Sequence, residues 1–213
     1  MSEILVVQCS YRPQGTSVML CKMLKDMDSR VCVVSISDAL QRLQQFLYKV
    51  EQCSTLVFIG PCYINTYPAE VFVLLEELTK HKEILHNQKI YGVIQGGMPY
   101  IHTHAAGLRS LELFANSLSL TYQGGFVLGM GALINGHSLS VLPHGHRVKR
   151  QLTIFFQGIL DGTPQSMKVC EDAVLRLPVW VIRILSRKMN KNILKEAALK
   201  NYDVCSQSPY MKE

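Results

Sequence analysis

The sequence predicts an α/β protein, a five-stranded parallel sheet with helices on both faces, on three observations. Short apolar runs without polar alternation recur up to Gly129, as expected of strands covered on both sides. Between them the apolar spacing switches to i, i+3, i+4, the pattern of amphipathic helices. The two patterns alternate five times, and strands joined by helical crossovers pair in parallel with right-handed connections.

The first strand is expected over residues 4–10 (ILVVQCS), and the helix after Gly15 carries Met19, Leu20, Met23, Leu24 and Met27. The second strand spans 31–37 (VCVVSIS), after which Ser37 or Asp38 can cap a helix bearing Leu40, Leu43, Leu47 and Val50. The third strand, 55–60 (TLVFIG), leads to Pro68, a good first helical residue before the stripe Val71, Leu74, Leu75 and Leu78. The fourth strand, 89–97, precedes a helix over 104–117, and the fifth covers 122–129. From about His146, Val148, Leu152, Phe155, Phe156 and Ile159 make the last stripe. Five such units in about 160 residues match a flavodoxin-like three-layer sandwich, whose usual strand order is 2-1-3-4-5. The segment DGTPQS (161–166) breaks the pattern, so we expect a domain over 1–165 and a C-terminal helical extension over 166–213.

Composition restricts the function classes. At 213 residues, 48% hydrophobic and 18% charged, the chain can bury one full core. Its apolar runs are strand-sized, short of the ~18 residues a membrane span needs. MSEILVVQ shows neither a basic region nor a small-residue cleavage site, so no secretory signal is expected and the chain reads as cytoplasmic. The seven cysteines form no CxxC pair, which suits reduced thiols; Cys9 and Cys62, near strand ends, are the two a redox role would use. Net charge is +6, yet residues 1–146 hold ten groups of each sign. The excess lies mostly where Arg176, Arg183, Arg187, Lys188, Lys191, Lys195 and Lys200 face only Glu196. That run reads as the solvated face of an amphipathic helix ahead of an anionic partner, and nucleic acid is not expected. Val179, Trp180, Ile182, Ile184 and Leu185 carry more apolar surface than a free helix exposes, so this helix should pack on its own sheet layer or on a second subunit, with a membrane surface as the lesser alternative.

In open parallel sheets ligands bind beyond the carboxyl ends of the strands. The first such loop, CSYRPQGTS, offers the hydroxyls of Ser10, Thr16 and Ser17, the Arg12 guanidinium and a turn at Gly15 into a helix N-terminus, which together make a phosphate cradle. A P-loop is excluded because no Gly-Lys pair occurs, and a GxGxxG turn because this loop has one glycine. The third-strand loop, GPCYINTYPAEV, can set Tyr63 against a flat ring while backbone groups from Cys62 to Asn65 meet the ring's polar edge. Gln95, Gly96 and Gly97 end the fourth strand and let another planar edge approach the backbone. Long loops after the fourth and fifth strands suggest a roofed site.

On these residues the chain resembles the NAD(P)H-dependent FMN reductases of flavodoxin-like fold. CSYRPQGTS is similar to their Ser-x-Arg-x-x-Gly-x-[Ser/Thr] phosphate loop, and GPCYINTYPAEV to their Pro-x-Tyr loop and following helix. The resemblance covers residues 3–160 and extends weakly to the C-terminal segment ending in SPY. The chain departs from the family's habits at Cys9, Tyr11 and Thr16, where glycine, proline and asparagine are common. The resemblance implies that Ser10, Arg12, Thr16 and Ser17, around Gly15, bind the FMN phosphate. Pro61, Cys62, Tyr63, Ile64 and Asn65 would line the isoalloxazine, with Gln95, Gly96 and Gly97 at its other edge. It also implies NADH or NADPH as donor, a quinone, flavin, metal complex or nitro or azo compound as acceptor, and a homodimer.

With flavin doing the chemistry, no side chain need be a catalytic acid or base. Tyr100, His144, His146 and Arg147 are the candidate contacts to substrate or nicotinamide cofactor, because basic residues at a helix start call for an anion. The two HxH pairs lack nearby carboxylates, so no metal is expected and the histidines read as surface residues. Two alternatives stay open: a flavodoxin-type electron carrier, which the neutral-to-basic charge disfavours, and a scaffold that has lost flavin.

Overall fold

The apolar runs pair into one five-stranded parallel sheet, in the order β2-β1-β3-β4-β5. The computed structural model describes residues 3–142, 144–174 and 178–199. Its strands are β1 (Ile4–Gln8), β2 (Val31–Ser35), β3 (Thr55–Pro61), β4 (Lys89–Gln95) and β5 (Thr121–Leu128). Ile4 sits opposite Val31 on one side and Thr55 on the other, so the chain leaves β1 towards opposite edges of the sheet. This is the flavodoxin-like doubly wound order, and its switch point lies between β1 and β3, where such sheets bind ligands.

Strand periodicity sorts the core into two layers. Leu5, Val7, Leu56, Phe58, Ile90 and Ile94 point to the face packed by α2 (Ile36–Gln41), α3 (Leu43–Glu51), α4 (Ala69–Lys80) and α5 (Ala105–Ser117). The other face carries α1 (Thr16–Met27) and α6 (Gly145–Leu160), where Phe155 meets Tyr91 edge-on with ring centroids 6.3 Å apart and Phe126 at 5.5 Å. Both faces are apolar, which is why the strands read as unbroken runs.

Several element ends differ from expectation. Ser10 and Gly97 lie beyond their strands, although the Cys9 N–H still reaches Ile59 O at 2.8 Å. The second strand stops at Ser35, and Ser35, not Ser37 or Asp38, caps α2. Its Oγ accepts the Asp38 N–H at 3.0 Å and donates to the Asp38 carboxylate at 2.6 Å. This reciprocal pair of hydrogen bonds fixes the start of α2 at Ser35. The expected single helix breaks at Arg42 (φ −119°), giving α2 and α3.

The chain divides into two compact units, Met1–Leu175 and Arg176–Glu213. The helical extension expected from residue 166 opens with α7 (Met167–Ala173), which packs within the first unit: Cys170 and Ala173 are buried, and the Val127 N–H donates to Cys170 Sγ at 3.2 Å. The second unit contains α8 (Val179–Leu199). Arg176, Lys200, Cys205 and the segment compared with family extensions up to SPY lie, wholly or in part, outside the described residues. Among the described residues no helix is long and apolar enough to cross a membrane.

Candidate functional site

The loops after β1, β3, β4 and β5 meet in one cleft above the switch point. It is lined by Ser10, Arg12, Gly15, Thr16 and Ser17 from the first loop, Pro61, Cys62 and Tyr63 from the third, and Gln95, Gly96 and Gly97 from the fourth. Of the residues the sequence suggested for a cofactor, only Ile64 and Asn65 stand outside the lining. Gln14, Ala132 and Asn135 also line it and were not anticipated. At about 190 Å³ the cleft is smaller than the roughly 300–1,000 Å³ of pockets that enclose a whole ligand. A cofactor-sized ligand would therefore sit partly at the surface.

One end of the cleft is built for an anion. Gly15 is the N-cap of α1 at φ 140°, a conformation that side-chain-bearing residues rarely adopt. It supplies no capping side chain, so the first N–H groups of the helix remain available. A Cβ at Gly15 would meet nothing within 4 Å, so the approach is open. Ser10 Oγ accepts the Arg12 N–H at 3.2 Å and shapes the turn. Arg12 is the one charged residue of the lining and forms no ion pair among the described residues.

The hydroxyls divide in role. Thr16 Oγ1 donates to Gly131 O at 2.7 Å, so its proton ties α1 to the loop after β5. Gln95 Nε2 donates to Ser17 Oγ at 3.4 Å, which leaves the Ser17 proton for an acceptor in the cleft. Gln95 Oε1 is buried without a donor among the described residues. A Cβ at Gly131 would come 2.6 Å from this oxygen, and one at Gly136 3.2 Å from Gly15 N. The glycine-rich stretch after β5 is thus what lets that loop close against the first loop. Its glycines in a strand-end loop were the available signal.

The third loop presents an aromatic on a strained turn. The Tyr63 N–H donates to Thr66 O at 2.7 Å and the Thr66 N–H returns to Tyr63 O at 3.3 Å, closing a two-residue turn with Ile64 and Asn65 at φ 50° and 68°. Positive φ at both central residues is a primed-turn geometry that favours Asn and Gly, and a β-branched residue there is strained. The Cys62 N–H is engaged with Gln95 O at 2.6 Å and the Tyr63 N–H with Thr66 O, so of the expected backbone donors only those of Ile64 and Asn65 remain, and both residues stand outside the lining. Asn65 O holds the loop to α5 by accepting the Gly107 N–H at 3.2 Å.

Behind the fourth loop lies a histidine expected at the surface. His104 is only 2% exposed. Thr103 Oγ1 donates to Tyr100 O at 2.7 Å, which assigns the His104 proton to Nδ1, 2.8 Å from Thr103 Oγ1 and 3.0 Å from Tyr100 O. Nε2 fills the space a side chain at Gly96 would take. The reason for the misplacement is a 3₁₀ turn over Ile101–Thr103, in which residues two apart point to different sides, so His102 is exposed and His104 is not.

Burial, with His102 adding to it, lowers the His104 pKa. The unfolded chain therefore binds more protons between the folded value and ~6.5, and stability falls as pH drops below ~6.5. We expect the melting temperature to decline more steeply from pH 7 to 5 in the wild type than in His104→Gln; parallel profiles would contradict this.

Tyr100, His144, His146 and Arg147 are not brought to the cleft lining. Tyr100 stacks on His102 with centroids 5.5 Å apart, and His144 and His146 lie edge-to-face at 6.4 Å. Arg147 comes within 4.0 Å of Asp172 on α7, which places one carboxylate of the chain near the start of α6. Burial raises the pKa of both Cys9 and Cys62, which keeps them as poorly nucleophilic thiols. Among the described residues no three His, Cys, Asp or Glu side chains gather as a metal site.

No protein-family model and no curated protein matches the chain. Solved structures do resemble it. General stress protein 14 from Treponema denticola, solved in complex with FMN, superposes with a TM-score of 0.54 at 16% identity, covering 73% of this chain and 97% of its own. An NADPH-quinone reductase from P. pentosaceus gives 0.52 at 17% identity, over 73% and 94%. An NADH:FMN oxidoreductase in its apo form gives 0.53 at 14%, over 80% and 94%. At such identities the likeness establishes the flavodoxin-like fold.

Proposed function

We propose that this chain is an FMN-dependent oxidoreductase that draws electrons from NADH or NADPH and passes them to a second acceptor. The observation that carries this reading is the convergence of three separately recognised loops on one cleft, with an unpaired arginine and open helix N-terminus at one end and an aromatic beside two glycines at the other. Arg12, Ser10, Ser17 and the first N–H groups of α1 would hold the phosphate. Tyr63, Pro61 and Cys62 would flank the ring, while Gly96 and Gly97 admit its edge to the backbone. Gln95 orients the Ser17 hydroxyl, and Thr16 anchors the β5 loop that closes the site. Bound FMN supplies the hydride and electron transfer. Fold neighbours that bind FMN or reduce quinones and flavins support the same reading.

Tyr11, Tyr63, Ile64, Met98 and Tyr100 are all more than 40% exposed on the loops at this end of the sheet. Such an apolar rim favours a planar organic acceptor, a quinone above a metal complex. The test is anaerobic mixing of the FMN-loaded protein with NADH or NADPH. Flavin absorbance near ~450 nm should bleach and return when a quinone is added. Flavin that binds yet stays oxidised with both nicotinamides would remove the reductase reading.

A further inference from the structure

His104 is a buried titratable group that the flavin chemistry leaves unused. Its Nδ1 proton is held 3.0 Å from Tyr100 O, and Nε2 has no hydrogen-bond partner among the described residues. That nitrogen rests against Gly96 beside Cys62, and both of these residues line the cleft. The imidazole is therefore the backing of the cleft wall.

The same wall is held from its other side by the loop after β5. The Met130 N–H donates to Met98 O at 3.1 Å and the Ala132 N–H to Gly96 O at 3.4 Å, while Cys62 Sγ donates to Thr103 O at 3.7 Å. Apart from His104 the segment buries little, since Gly97, Met98, Tyr100 and His102 are all exposed. A segment with so few buried groups opens locally at a lower cost than unfolding the sheet.

A second proton on His104 must go to Nε2, where it faces a glycine carbon and the Cys62 methylene instead of an acceptor. The ionisable groups around the ring do not answer the charge. His102, on its own turn, is itself basic. Cys62 on the third loop and Tyr67 before α4 are kept as neutral thiol and phenol by burial. The first charged residues of α5, Arg109 and Glu112, pair with each other at 2.7 Å. The end of β4 (95–97) and the loop after β5 (129–135) have no ionisable side chain. A buried, unpaired cation is costly, so the protonated ring moves out to water and takes its segment with it. We propose that His104 is an acid-sensitive latch: neutral, it closes the cleft wall at Gly96, and protonated, it releases residues 97–104 and opens the cleft. Only the identity of the ligand that this wall retains rests on the flavin reading above.

The experiment is amide hydrogen exchange of the full chain, without flavin, between pH 7 and 5, with each rate divided by the intrinsic rate at that pH. An opened segment takes up a proton near ~6.5 and the closed one does not, so opening becomes up to about tenfold easier per pH unit below ~6.5. Protection of the Met130 and Ala132 amides should fall by that factor in the wild type and stay level in His104→Gln. It should also remain below the protection of the β1 and β3 amides, a comparison that needs no variant. Parallel pH courses in wild type and variant would overturn the latch. So would wall amides as well protected as the central strands, because the wall would then open only when the whole protein unfolds. Added FMN should raise the protection of both amides. Should FMN fail to bind while the flavin-free pattern holds, the latch stands and the flavin reading alone falls.

Discussion

Arg12→Ala is expected to weaken FMN binding roughly 10- to 100-fold while leaving the melting temperature of the apo protein unchanged. A charge-assisted hydrogen bond contributes about 1.5–3 kcal/mol, and Arg12 is the only charged residue of the cleft. Its side chain is exposed and forms no ion pair among the described residues, so its removal disturbs no core contact. Titrating flavin fluorescence against wild type and variant measures the ratio. Equal affinities would move the phosphate away from the first loop. Arg12→Lys should recover only part of the loss, since an ammonium keeps the charge without the planar fork.

Gly96→Ala is expected to lower stability by about 1–3 kcal/mol, the usual range for overpacking, and to reduce flavin retention with it. The added methyl would overlap His104 Nε2 and come 3.1 Å from Cys62 Cβ. The imidazole cannot swing aside easily, because Nδ1 is held by Thr103 Oγ1 at 2.8 Å and Tyr100 O at 3.0 Å. The neighbouring Gly97→Ala is the control. A Cβ there meets only Ala132 Cβ at 4.0 Å, so stability should barely change. Equal melting temperatures for the two variants would show that the ring yields and that His104 does not brace the loop.

Much of the fold was legible because both sheet faces are covered. Leu5 and Val6 are each fully buried although they point to opposite layers, and that makes an unbroken apolar run. Strand and helix ends were less legible. Ser35, Ser37 and Asp38 all look like caps, and Ser35 to Asp38 and Asp38 to Gln41 both have capping-box spacing, so the sequence does not choose between them. The seven-residue α7 lies in the segment expected as a helical extension, but so short a helix carries too few turns to reveal its own bounds.

Within the site, local chemistry was readable and non-local chemistry was not. Gly15, Arg12 and Tyr63 announce their loops by residue type alone. The tie from Thr16 to Gly131 joins residues 115 positions apart, and no pattern within the first loop indicates where the Thr16 proton goes. Ile64 at φ 50° is contrary to the residue's own preference, so the turn that exposes Tyr63 could not be read from propensity. His144, His146 and Arg147 show a different limit: basic residues at the start of α6 raise an electrostatic demand, but the sequence does not show that Asp172 on α7 comes within 4.0 Å of Arg147.

The central claim is that the cleft above β1 and β3 binds FMN. The most direct measurement is the visible spectrum of the purified protein after incubation with FMN and desalting. Bands near ~370 and ~450 nm that remain with the protein are predicted, as expected of a retained flavin. Folded protein that emerges colourless would contradict the claim, leaving a flavodoxin-like sheet whose cleft serves some other anion.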